Sequence, residues 1–569
     1  MIKSPAYYFE SVINTVLNFS SKKELSHEAM AWGASDSEKG EVFTKPEIVQ
    51  FMLITSGIDS SVLDSRTRIL EPSCGQGEFV IAIAQLLVKN INTSDKAASI
   101  ASYFNLIKAY DISDHSIHIA KNKTVAILEE AFNVEDAWTL VDNWYCHADF
   151  LLASHNDKFT HVIGNPPYVR IENIPPKLLE MYRACFSTMK DRADLYVAFY
   201  EKSLSLLKTG GVLSFICTDR WTKNRYGSAL RSMISSAYQL DLFVDLYGQN
   251  AFQTEVLTYP AITQISRNKQ STTTIIHNPT IDNLFSKQVH DSLGDSRLGF
   301  EGQILRKDIV NESKPWLFGC TDELDLIKRL EEEFPTVEEV GCQVFIGAAT
   351  GNNKVYVVDD SIPLEACRKV PMIKAADIRK GSLTENSSYL INTYDSNGVI
   401  NLSDYPLLQS YLLEHETALR SRHVAKNSPN AWFKTIDRVY PERAQQPKLL
   451  IPDIKSELTL VYDEGKYHPN NSIYYICSSK WDLRALQAVL MSGLGQMFVQ
   501  AYSTKISGGN LRFQAQHLRR IRVPSWDSIT NELKEALSKA AIGQDTEHAK
   551  ELVCDLYGLN DKEKQLFGC

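Results

Sequence analysis

A strand that runs into a glycine-rich turn and then a helix constrains the fold of this chain more than any other sequence feature. The stretch 68–80 reads Arg-Ile-Leu-Glu-Pro-Ser-Cys-Gly-Gln-Gly-Glu-Phe-Val. Its apolar start predicts a short strand, its Gly-x-Gly segment a turn, and Phe79 to Val88 a helix. Gly75 and Gly77 allow the backbone to approach a ligand closely. The stretch therefore favours the start of a doubly wound α/β nucleotide-binding fold over a purely structural turn.

A second strand-to-loop corner lies at residues 165–168, which read Asn-Pro-Pro-Tyr. The preceding run, 159–164, is rich in aromatic and β-branched residues and predicts a buried strand that a glycine and two prolines terminate. Because each proline lacks an N–H, the carbonyls near Asn165 stay available. The Asn165 amide oxygen and the Pro166 carbonyl can accept both hydrogens of one NH₂ group, while the Tyr168 ring can stack on a heterocycle. The alternative is an ordinary turn, in which Asn and Pro are common.

An acidic residue ends the next predicted strand, 106–111. An acid at the tip of the second strand of a doubly wound fold can accept hydrogen bonds from both ribose hydroxyls of a nucleotide-like ligand. Asp111 is predicted to take this role. It lies farther beyond Gly77 than the usual ~20 residues, and Asp114 in the same loop is the competing candidate.

Size and composition bound the class of protein. A chain of 569 residues exceeds the length at which one core keeps growing, so more than one domain is expected. A composition of 44% hydrophobic and 23% charged residues is that of a soluble globular protein. Neither a membrane span nor a secretory leader is recognisable, so we expect a cytoplasmic protein. The ten cysteines show no paired spacing, which argues against a disulfide framework and a metal site.

The net charge of −9 disfavours nucleic-acid binding over the whole surface, so local basic patches matter more. Two such patches, 418–448 and 501–525, lie in the C-terminal half, and the second contains no acidic residue. They could line a phosphate-binding cleft; solvated charge on helices is the alternative. The candidate DNA contacts are Arg420, Arg422, Lys505, Arg512, Arg519, Arg520 and Arg522.

The motifs together resemble the N6-adenine DNA methyltransferases of the TaqI type, which use S-adenosylmethionine in restriction-modification systems. The resemblance rests on Leu-Glu-Pro-x-Cys-Gly-x-Gly-x-Phe at 70–79 and on Asn-Pro-Pro-Tyr at 165–168. It implies a doubly wound, Rossmann-like methyltransferase domain and then a mixed α+β DNA-recognition domain. The expected parts are 1–290 for catalysis, 291–330 for a linker, 331–525 for target recognition and 526–569 for a helical tail.

The resemblance implies roles for residues around the cofactor. Glu71 would orient the turn and the ammonium group of S-adenosylmethionine. Asp149 would accept a hydrogen bond from the cofactor's adenine amino group, and Phe150 would pack on the adenine ring. Thr44 would belong to a loop that closes over the methionine end. The expected cofactor-binding residues are Thr44, Glu71, Cys74, Gly75, Gly77, Asp111, Asp149 and Phe150.

The resemblance also implies how the target base is held. Asn165 and Pro166 would fix the amino group of an adenine that has been flipped out of the duplex. Tyr168 and Phe252 would pack against the base from opposite sides. Tyr259 is the reserve for Phe252, whose alternative is an ordinary core position.

Three local patterns predict secondary structure. Thr44 followed by Glu47 forms a capping box, which predicts a helix that begins at Thr44. Two glycines at 209–211 predict the end of a helix over 194–208, before a strand at 212–216. A Gly-Asn-Asn turn within 344–358 predicts a hairpin, which resembles the opening of the family's recognition domain.

Other activities stay open at this stage. Pro452-Asp453 followed by Glu464-Gly465-Lys466 imitates the metal-binding pattern of nucleases, so a fused methyltransferase-endonuclease is one alternative, although 463–467 also fits a hairpin turn. An RNA or protein-glutamine N-methyltransferase is a second alternative, because it would use the same Asn-Pro-Pro-Tyr corner. A third is a DNA-binding module that has lost catalysis. Within the DNA methyltransferases, N4 of cytosine could be the target instead of N6 of adenine. A C5-cytosine enzyme would need a cysteine after a proline, and the chain contains no such pair.

The sequence thus predicts a DNA-modifying enzyme. We expect sequence-specific methyl transfer to adenine N6 of double-stranded DNA by a monomer that needs no metal. A cognate restriction endonuclease would act separately.

Overall fold

The computed structural model describes residues 42–567 apart from 60–61, 94–98, 156, 248, 254–259, 269–271, 296, 307–308, 320, 380–381, 385–386 and 504–508. The chain divides into two units, of which the first ends at Phe318 and the second begins at Gly319. Each unit has hydrophobic clusters of its own.

A single sheet organises the first unit. Its described strands are β1 (Ile69–Glu71), β2 (Ile107–Asp111), β3 (Tyr145–His147), β4 (Phe159–Gly164), β5 (Leu207–Thr218), β6 (Gln239–Asp245), β7 (Pro260–Ser266), β8 (Thr273–His277) and β9 (Ile304–Arg306). They lie in the order β3-β2-β1-β4-β5-β7-β6-β8-β9. The strands β1 to β5 pair in parallel, and β7 runs antiparallel between β5 and β6.

Apolar side chains cover both faces of this sheet. Neighbouring residues of β4, Val162 and Ile163, belong to two different hydrophobic clusters, as expected when successive side chains of a strand point to opposite faces. The helices of this unit are Pro46–Thr55, Glu78–Thr93, Ile100–Tyr103, Asp114–Leu128, Val134–Trp144, Pro176–Cys185, Tyr196–Ser205, Arg220–Lys223, Ser228–Ala237 and Asn283–Gly294. The expected doubly wound α/β fold is confirmed.

The expected helix start at Thr44 is wrong. The helix begins at Pro46, and its N-cap residue, Lys45, makes no side-chain capping bond. Proline suits the first helical position because its fixed φ matches the helix and its missing N–H is not needed there. Thr44 instead forms an antiparallel bridge with Phe252.

The expected end of a helix at the two glycines is also wrong. The helix Tyr196–Ser205 ends earlier, and β5 already begins at Leu207. Gly210 has a φ of 77°, and the pairing of β4 with β5 shifts register between Phe159 and His161. Gly210 therefore lies in a bulge inside β5, where its positive φ is a conformation that glycine adopts readily.

The second unit is built from short strands and helices, as the expected mixed α+β class requires. One four-stranded sheet has the order Cys342–Ile346, Ile473–Ser478, Lys448–Pro452, Val461–Asp463, and another has the order Val357–Val358, Tyr389–Ile391, Lys369–Ile373, His468–Pro469. Two-stranded pairs are Ile378–Arg379 with Ser382–Leu383, Tyr394–Asp395 with Gly398–Val399, and Ile454–Lys455 with Leu511–Arg512.

The helices of the second unit include those of the C-terminal end. Their bounds are Thr321–Glu333, Asn353–Tyr356, Pro406–Glu414, Glu416–Arg420, His423–Lys426, Pro441–Ala444, Leu483–Val489, Gly495–Tyr502, Ala515–Leu518, Asn531–Gly543, Thr546–Leu556 and Asp561–Phe567. In the described part of the chain, no helix combines the length and apolarity needed to cross a membrane.

The hairpin expected over 344–358 is wrong. Cys342–Ile346 pairs with Ile473–Ser478, whereas Val357–Val358 pairs with Tyr389–Ile391 in another sheet. The turn expected at 463–467 likewise joins strands of different sheets. Local turn residues predict a reversal of the chain, but long-range pairing decides which strands become neighbours.

The stretch 291–330, expected as a linker, belongs to folded elements of both units. The strand β9 pairs with β8, and the Phe318 ring stacks on Phe243 at a centroid distance of 3.6 Å, so the first unit extends to Phe318. The helix Thr321–Glu333 belongs to the second unit, where Arg329 pairs with Glu563 at 2.8 Å.

We predict that Gly77→Ala lowers the melting temperature more than Gly210→Ala. Both glycines have positive φ, 92° and 77°, so either Cβ costs about 1–2 kcal/mol of backbone strain. A Cβ at Gly77 would also lie 2.9 Å from the Tyr145 hydroxyl and 3.0 Å from the Ala120 Cβ, whereas no described atom lies within 4 Å of one at Gly210. The crowding adds about 1–3 kcal/mol.

Thermal unfolding of the full-length variants, followed by circular dichroism, measures the difference. Equal shifts for the two variants would show that backbone strain alone sets the cost and that the contact with Tyr145 is unimportant.

Candidate functional site

A cavity that is partly open to solvent lies at the carboxyl ends of β1, β2 and β4. Parallel strands end at the same edge of a sheet, so the residues that follow them converge there. Among the residues expected to act, the cavity is lined by Thr44, Glu71, Cys74, Gly75, Asp111, Asp149, Phe150 and Asn165. Four others do not line it: Gly77, Pro166, Tyr168 and Phe252.

The Asp111 carboxylate joins the loops that follow β1 and β2. One oxygen accepts a hydrogen bond from the Gly75 N–H at 2.9 Å and the other accepts from the Ser113 N–H at 2.8 Å. The competing candidate, Asp114, does not line the cavity, and 83% of its side chain is exposed. The geometry thus favours Asp111 for any role toward a ligand.

Gly75 has a positive φ of 49°, a conformation that glycine adopts readily. A Cβ added there would lie 3.6 Å from the Phe43 ring, which also lines the cavity. Phe43 precedes Thr44 in the loop that the resemblance expects to close over the methionine end of the cofactor, but Phe43 was not among the expected cofactor-binding residues.

Three carboxylates give the cavity an acidic wall. Burial raises the pKa of Glu71 well above its ordinary value, and the neighbouring carboxylates of Glu78 and Asp111 raise it further. One buried oxygen of Glu71, Oε2, has no hydrogen-bond partner among the described residues. Such a wall suits a ligand that carries positive charge, since a cation would stabilise the ionised carboxyl groups.

Asp149 lies in a different part of the cavity wall, after β3. Its carboxylate accepts hydrogen bonds from the Leu151 N–H at 2.8 Å and from the Tyr182 hydroxyl at 2.7 Å. Burial raises the pKa of Asp149, while these two donors and the nearby Lys202 counteract the rise. The carboxylate still has lone pairs for a ligand, because each of its oxygens can accept more than one hydrogen bond.

A buried lysine holds the backbone of the same turn. Lys202 Nζ donates to the carbonyls of Phe150, Leu151 and Ala153, and it lies 4.9 Å from the centroid of the Phe150 ring. Neither Lys202 nor Tyr182 was recognised from the sequence. Lys202 carried one signal, since it is a charged residue inside the apolar helical stretch 194–208, whereas Tyr182 carried none.

The side chain of Asn165 is oriented by the loop 42–44. Its Nδ2 donates to the Val42 carbonyl at 2.8 Å and to the Thr44 hydroxyl at 3.3 Å. Because the Val42 carbonyl can only accept, the amide must present its NH₂ group on that side. The amide oxygen, Oδ1, is buried and has no hydrogen-bond partner among the described residues. The Asn165 backbone carbonyl accepts from the Ser73 hydroxyl at 2.9 Å, which ties the corner to the glycine-rich loop.

The two aromatic residues expected to hold a base touch each other. The rings of Tyr168 and Phe252 meet edge to face, with centroids 6.1 Å apart and planes at 69°. The Tyr168 hydroxyl donates to the Ile216 carbonyl at 3.2 Å, and burial raises its pKa well above the ordinary value. A planar base does not fit between rings in this arrangement, so they would have to separate to take one. Tyr259 lies outside the described residues.

The arginines expected to contact DNA are paired within the second unit. The sequence 501–525 lacks acids, but the fold brings glutamates from 331–339 against it. The pairs are Arg420 with Glu416 at 2.6 Å, Arg512 with Asp453, Arg519 with Glu338 at 2.9 Å, Arg520 with Glu331 at 3.7 Å and Arg522 with Glu339 at 3.9 Å. In the folded chain, acidic residues from another segment therefore accompany the basic residues of 501–525. Lys505 lies outside the described residues.

Arg422 has an internal role. Its guanidinium donates to the backbone carbonyls of Thr350, Leu419, Trp432 and Lys434 and to the Tyr356 hydroxyl. With its donors used in this way, it is poorly placed for a phosphate. Asp453 of the nuclease-like pattern is likewise engaged, by Arg512.

Two family models match the chain, one in each unit. Residues 78–252 match the Eco57I restriction-modification methylase, and residues 370–523 match the TaqI-like C-terminal specificity domain. These matches confirm the resemblance to restriction-modification methyltransferases with a TaqI-like specificity domain. The first match includes the Asn-Pro-Pro-Tyr corner at 165–168.

Curated relatives align over almost the whole chain. The Type II methyltransferase M.XhoI of Xanthomonas vasicola is 43% identical, over 93% of this chain and 99% of its own length. M.PaeR7I of Pseudomonas aeruginosa is 40% identical, over 95% of both chains. A solved structure of the Type IIL restriction-modification enzyme MmeI in complex with DNA has the same fold, with a TM-score of 0.64 and 13% identity over 100% of this chain and 82% of that chain. The chain therefore belongs to the Type II DNA methyltransferases, the modification enzymes of restriction-modification systems.

Proposed function

We propose that the protein transfers a methyl group from S-adenosylmethionine to the N6 amino group of a flipped-out adenine in double-stranded DNA. The observation that carries the proposal is the buried Oδ1 of Asn165, which has no hydrogen-bond partner among the described residues and lies at the wall of an acidic cavity. A buried acceptor without a partner costs free energy, and such groups are retained where a ligand supplies the missing donor. An exocyclic amino group is a donor of that kind.

The cavity residues fit S-adenosylmethionine. Glu71 and its neighbours Glu78 and Asp111 suit the positive ammonium and sulfonium groups. Glu71 Oε2, which has no hydrogen-bond partner in the described part of the chain, can accept from the ammonium. Asp111 suits the ribose hydroxyls. The buried Phe150 ring suits the adenine face, and Asp149 suits the adenine amino group. When bound, S-adenosylmethionine supplies a methyl group on a positively charged sulfur.

The chain's own residues would prepare the target amine. The lone pair of an adenine amino nitrogen is delocalised into the ring, which makes it a weak nucleophile. Hydrogen bonds to Asn165 Oδ1 and to the Pro166 carbonyl favour a pyramidal nitrogen and aim its lone pair toward the cavity. Tyr168 and Phe252 would hold the base outside the duplex, once their rings have separated. No covalent bond between enzyme and base is needed.

The C-terminal unit would read the DNA sequence. Arg420 and Arg519 remain the best phosphate candidates of the expected set, because 48% of each side chain is exposed although each pairs with a glutamate. We propose that the protein acts as a monomer, independently of a cognate endonuclease. N4 of cytosine is the second candidate target, since the same two acceptors would bind its amino group.

We predict that Asn165→Ala lowers methyl transfer by about 10²–10³-fold and leaves the affinity for S-adenosylmethionine nearly unchanged. The substitution removes an acceptor that the target amine uses and the cofactor does not. Incorporation of labelled methyl groups into unmethylated bacterial DNA measures the rate, and sequencing of the product identifies the modified base.

The exposed Asn311, changed to Ala, is the matched control and should keep the full rate. Full activity of Asn165→Ala would remove Asn165 from the mechanism. If sequencing finds N4-methylcytosine in the product, the target base is cytosine and not adenine.

We predict that Asp111→Ala weakens S-adenosylmethionine binding by about 10- to 100-fold, whereas Asp114→Ala does not. Asp111 lines the cavity and can accept from the ribose hydroxyls, a loss of about 1.5–3 kcal/mol for hydrogen bonds to a charged group. Asp114 is an exposed acid three residues away, at the first position of the helix Asp114–Leu128, and thus controls for the general effect of removing a negative charge. Isothermal titration calorimetry measures both affinities, and equal weakening would assign the effect to charge alone.

We predict that affinity for S-adenosylmethionine falls as the pH is lowered through the raised pKa of Glu71. Below that pKa the carboxyl group is neutral and attracts the ammonium group weakly; above it the carboxylate binds the ammonium. Binding should therefore release a proton at a pH just below the raised pKa, which lies above the ordinary value of 4.5. Glu71→Gln cannot titrate and should abolish this contribution.

Calorimetry in buffers of different ionisation enthalpy measures the proton release. If Glu71→Gln releases as many protons as the unmodified protein does, the titrating group is another acid, and the acidic neighbours Glu78 and Asp111 would be tested next.

A further inference from the structure

The orientation of the Asn165 amide decides whether the proposed reaction can occur. The two ends of an asparagine amide have nearly the same shape, but only the oxygen can accept from an NH₂ group. If the amide were rotated by half a turn, its own NH₂ group would face the amino group of the base, and two donors would meet. Something must therefore hold the oxygen toward the base.

Two acceptors on the loop 42–44 hold the opposite end of the amide. The Val42 carbonyl lies 2.8 Å from Asn165 Nδ2, and the Thr44 hydroxyl oxygen lies 3.3 Å from it. Rotation of the amide would place its oxygen against the Val42 carbonyl, so that two acceptors would face each other. Thr44 is only 2% exposed, so water cannot easily replace its hydroxyl as a partner.

These acceptors are themselves held by backbone pairing. We call residues 42–45 and 251–253 the clamp. The Lys45 N–H donates to the Ala251 carbonyl at 3.1 Å, and the Gln253 N–H donates to the Phe43 carbonyl at 2.9 Å. The Gln253 side chain adds a bond to the Thr44 carbonyl at 3.3 Å. Two segments more than two hundred residues apart in sequence thus fix the directions of the groups that orient Asn165.

The clamp also carries an aromatic residue of the site. Phe252 pairs with Thr44 across the clamp, and its ring contacts Tyr168. One structural element therefore connects the acceptor that would bind the amino group with a ring that would hold the base.

We propose that Thr44 is a positioning residue of the methyl-transfer reaction, which acts by holding the amide of Asn165 with its oxygen toward the target amine. The inference rests on the proposed function of Asn165 and differs from a role of Thr44 in cofactor binding. Val42 shares the task through its backbone carbonyl, which no side-chain substitution removes. The loss of the Thr44 hydroxyl should therefore weaken the orientation without abolishing it.

The test compares Thr44→Val, which has nearly the same shape but no hydroxyl, with Thr44→Ser, which keeps it, in the full-length protein. With unmethylated bacterial DNA and saturating S-adenosylmethionine, Thr44→Val should lower kcat by about three- to tenfold, the effect of one neutral hydrogen bond. Its dissociation constant for S-adenosylmethionine and its KM for DNA should stay within about twofold of the unmodified protein. Thr44→Ser should retain most of the rate.

A double substitution shows whether Thr44 acts through Asn165. Added to Asn165→Ala, the Thr44→Val change should cause no further loss, because the group to be positioned is gone. A full additional loss in that background would overturn the proposal. So would a weakened affinity for S-adenosylmethionine with unchanged kcat, which would make Thr44 a cofactor contact.

The controls separate this inference from the function on which it rests. An impaired Asn165→Ala together with a fully active Thr44→Val would overturn only the positioning role. A fully active Asn165→Ala would overturn the role of Asn165 itself. A Thr44→Ser variant as slow as Thr44→Val would show that the hydroxyl is not the source of the effect.

Discussion

The parallel register of β4, β1 and β2 decides where the polar residues at the ends of these strands lie. Ile69 pairs with Ile107 on one side and with His161 on the other, so the three strands end together. The last residues of β1 and β2 and the first residue after β4 are polar. Glu71, Asp111 and Asn165, far apart in sequence, thus meet at one edge of the sheet. A shift in this register would separate them, however well each local motif formed.

The site keeps polar atoms buried without partners. Within the described residues, Glu71 Oε2 and Asn165 Oδ1 have no hydrogen bond, and both belong to cavity residues. A protein selected only for stability would pair or expose such groups, since each costs about 1–3 kcal/mol. The surrounding structure holds them in place: Ser73 binds the Asn165 backbone, and Val42 binds its amide nitrogen. Binding of a ligand that supplies donors to these atoms would recover the cost, which is why their position is informative about function.

Charge in the second unit shows how a sequence pattern can mislead. The stretch 501–525 contains basic residues and no acid, yet Arg519, Arg520 and Arg522 each lie near a glutamate from 331–339. The pair of Arg519 with Glu338 is 48% and 43% exposed and contributes little stability, about 0–1 kcal/mol. Arg522 is only 20% exposed and also donates to the Phe334 carbonyl. Arg422 differs, because four backbone carbonyls and a tyrosine hydroxyl hold it. Charge counts along the chain cannot distinguish the two situations.

The sequence by itself determined the elements whose signals are local. The turn at 72–77, the acid that ends β2 and the Asn-Pro-Pro-Tyr corner were recognisable because glycine, proline and alternating apolar residues act over a few positions. From them the α/β class and several cavity residues, among them Glu71, Asp111 and Asn165, could be predicted. Only the tertiary structure decided the partners of Thr44, the internal role of Arg422, and the contributions of Tyr182 and Lys202. Each depends on contacts between segments distant in sequence, and the free energy of such contacts comes from packing and pairing that no short sequence window contains.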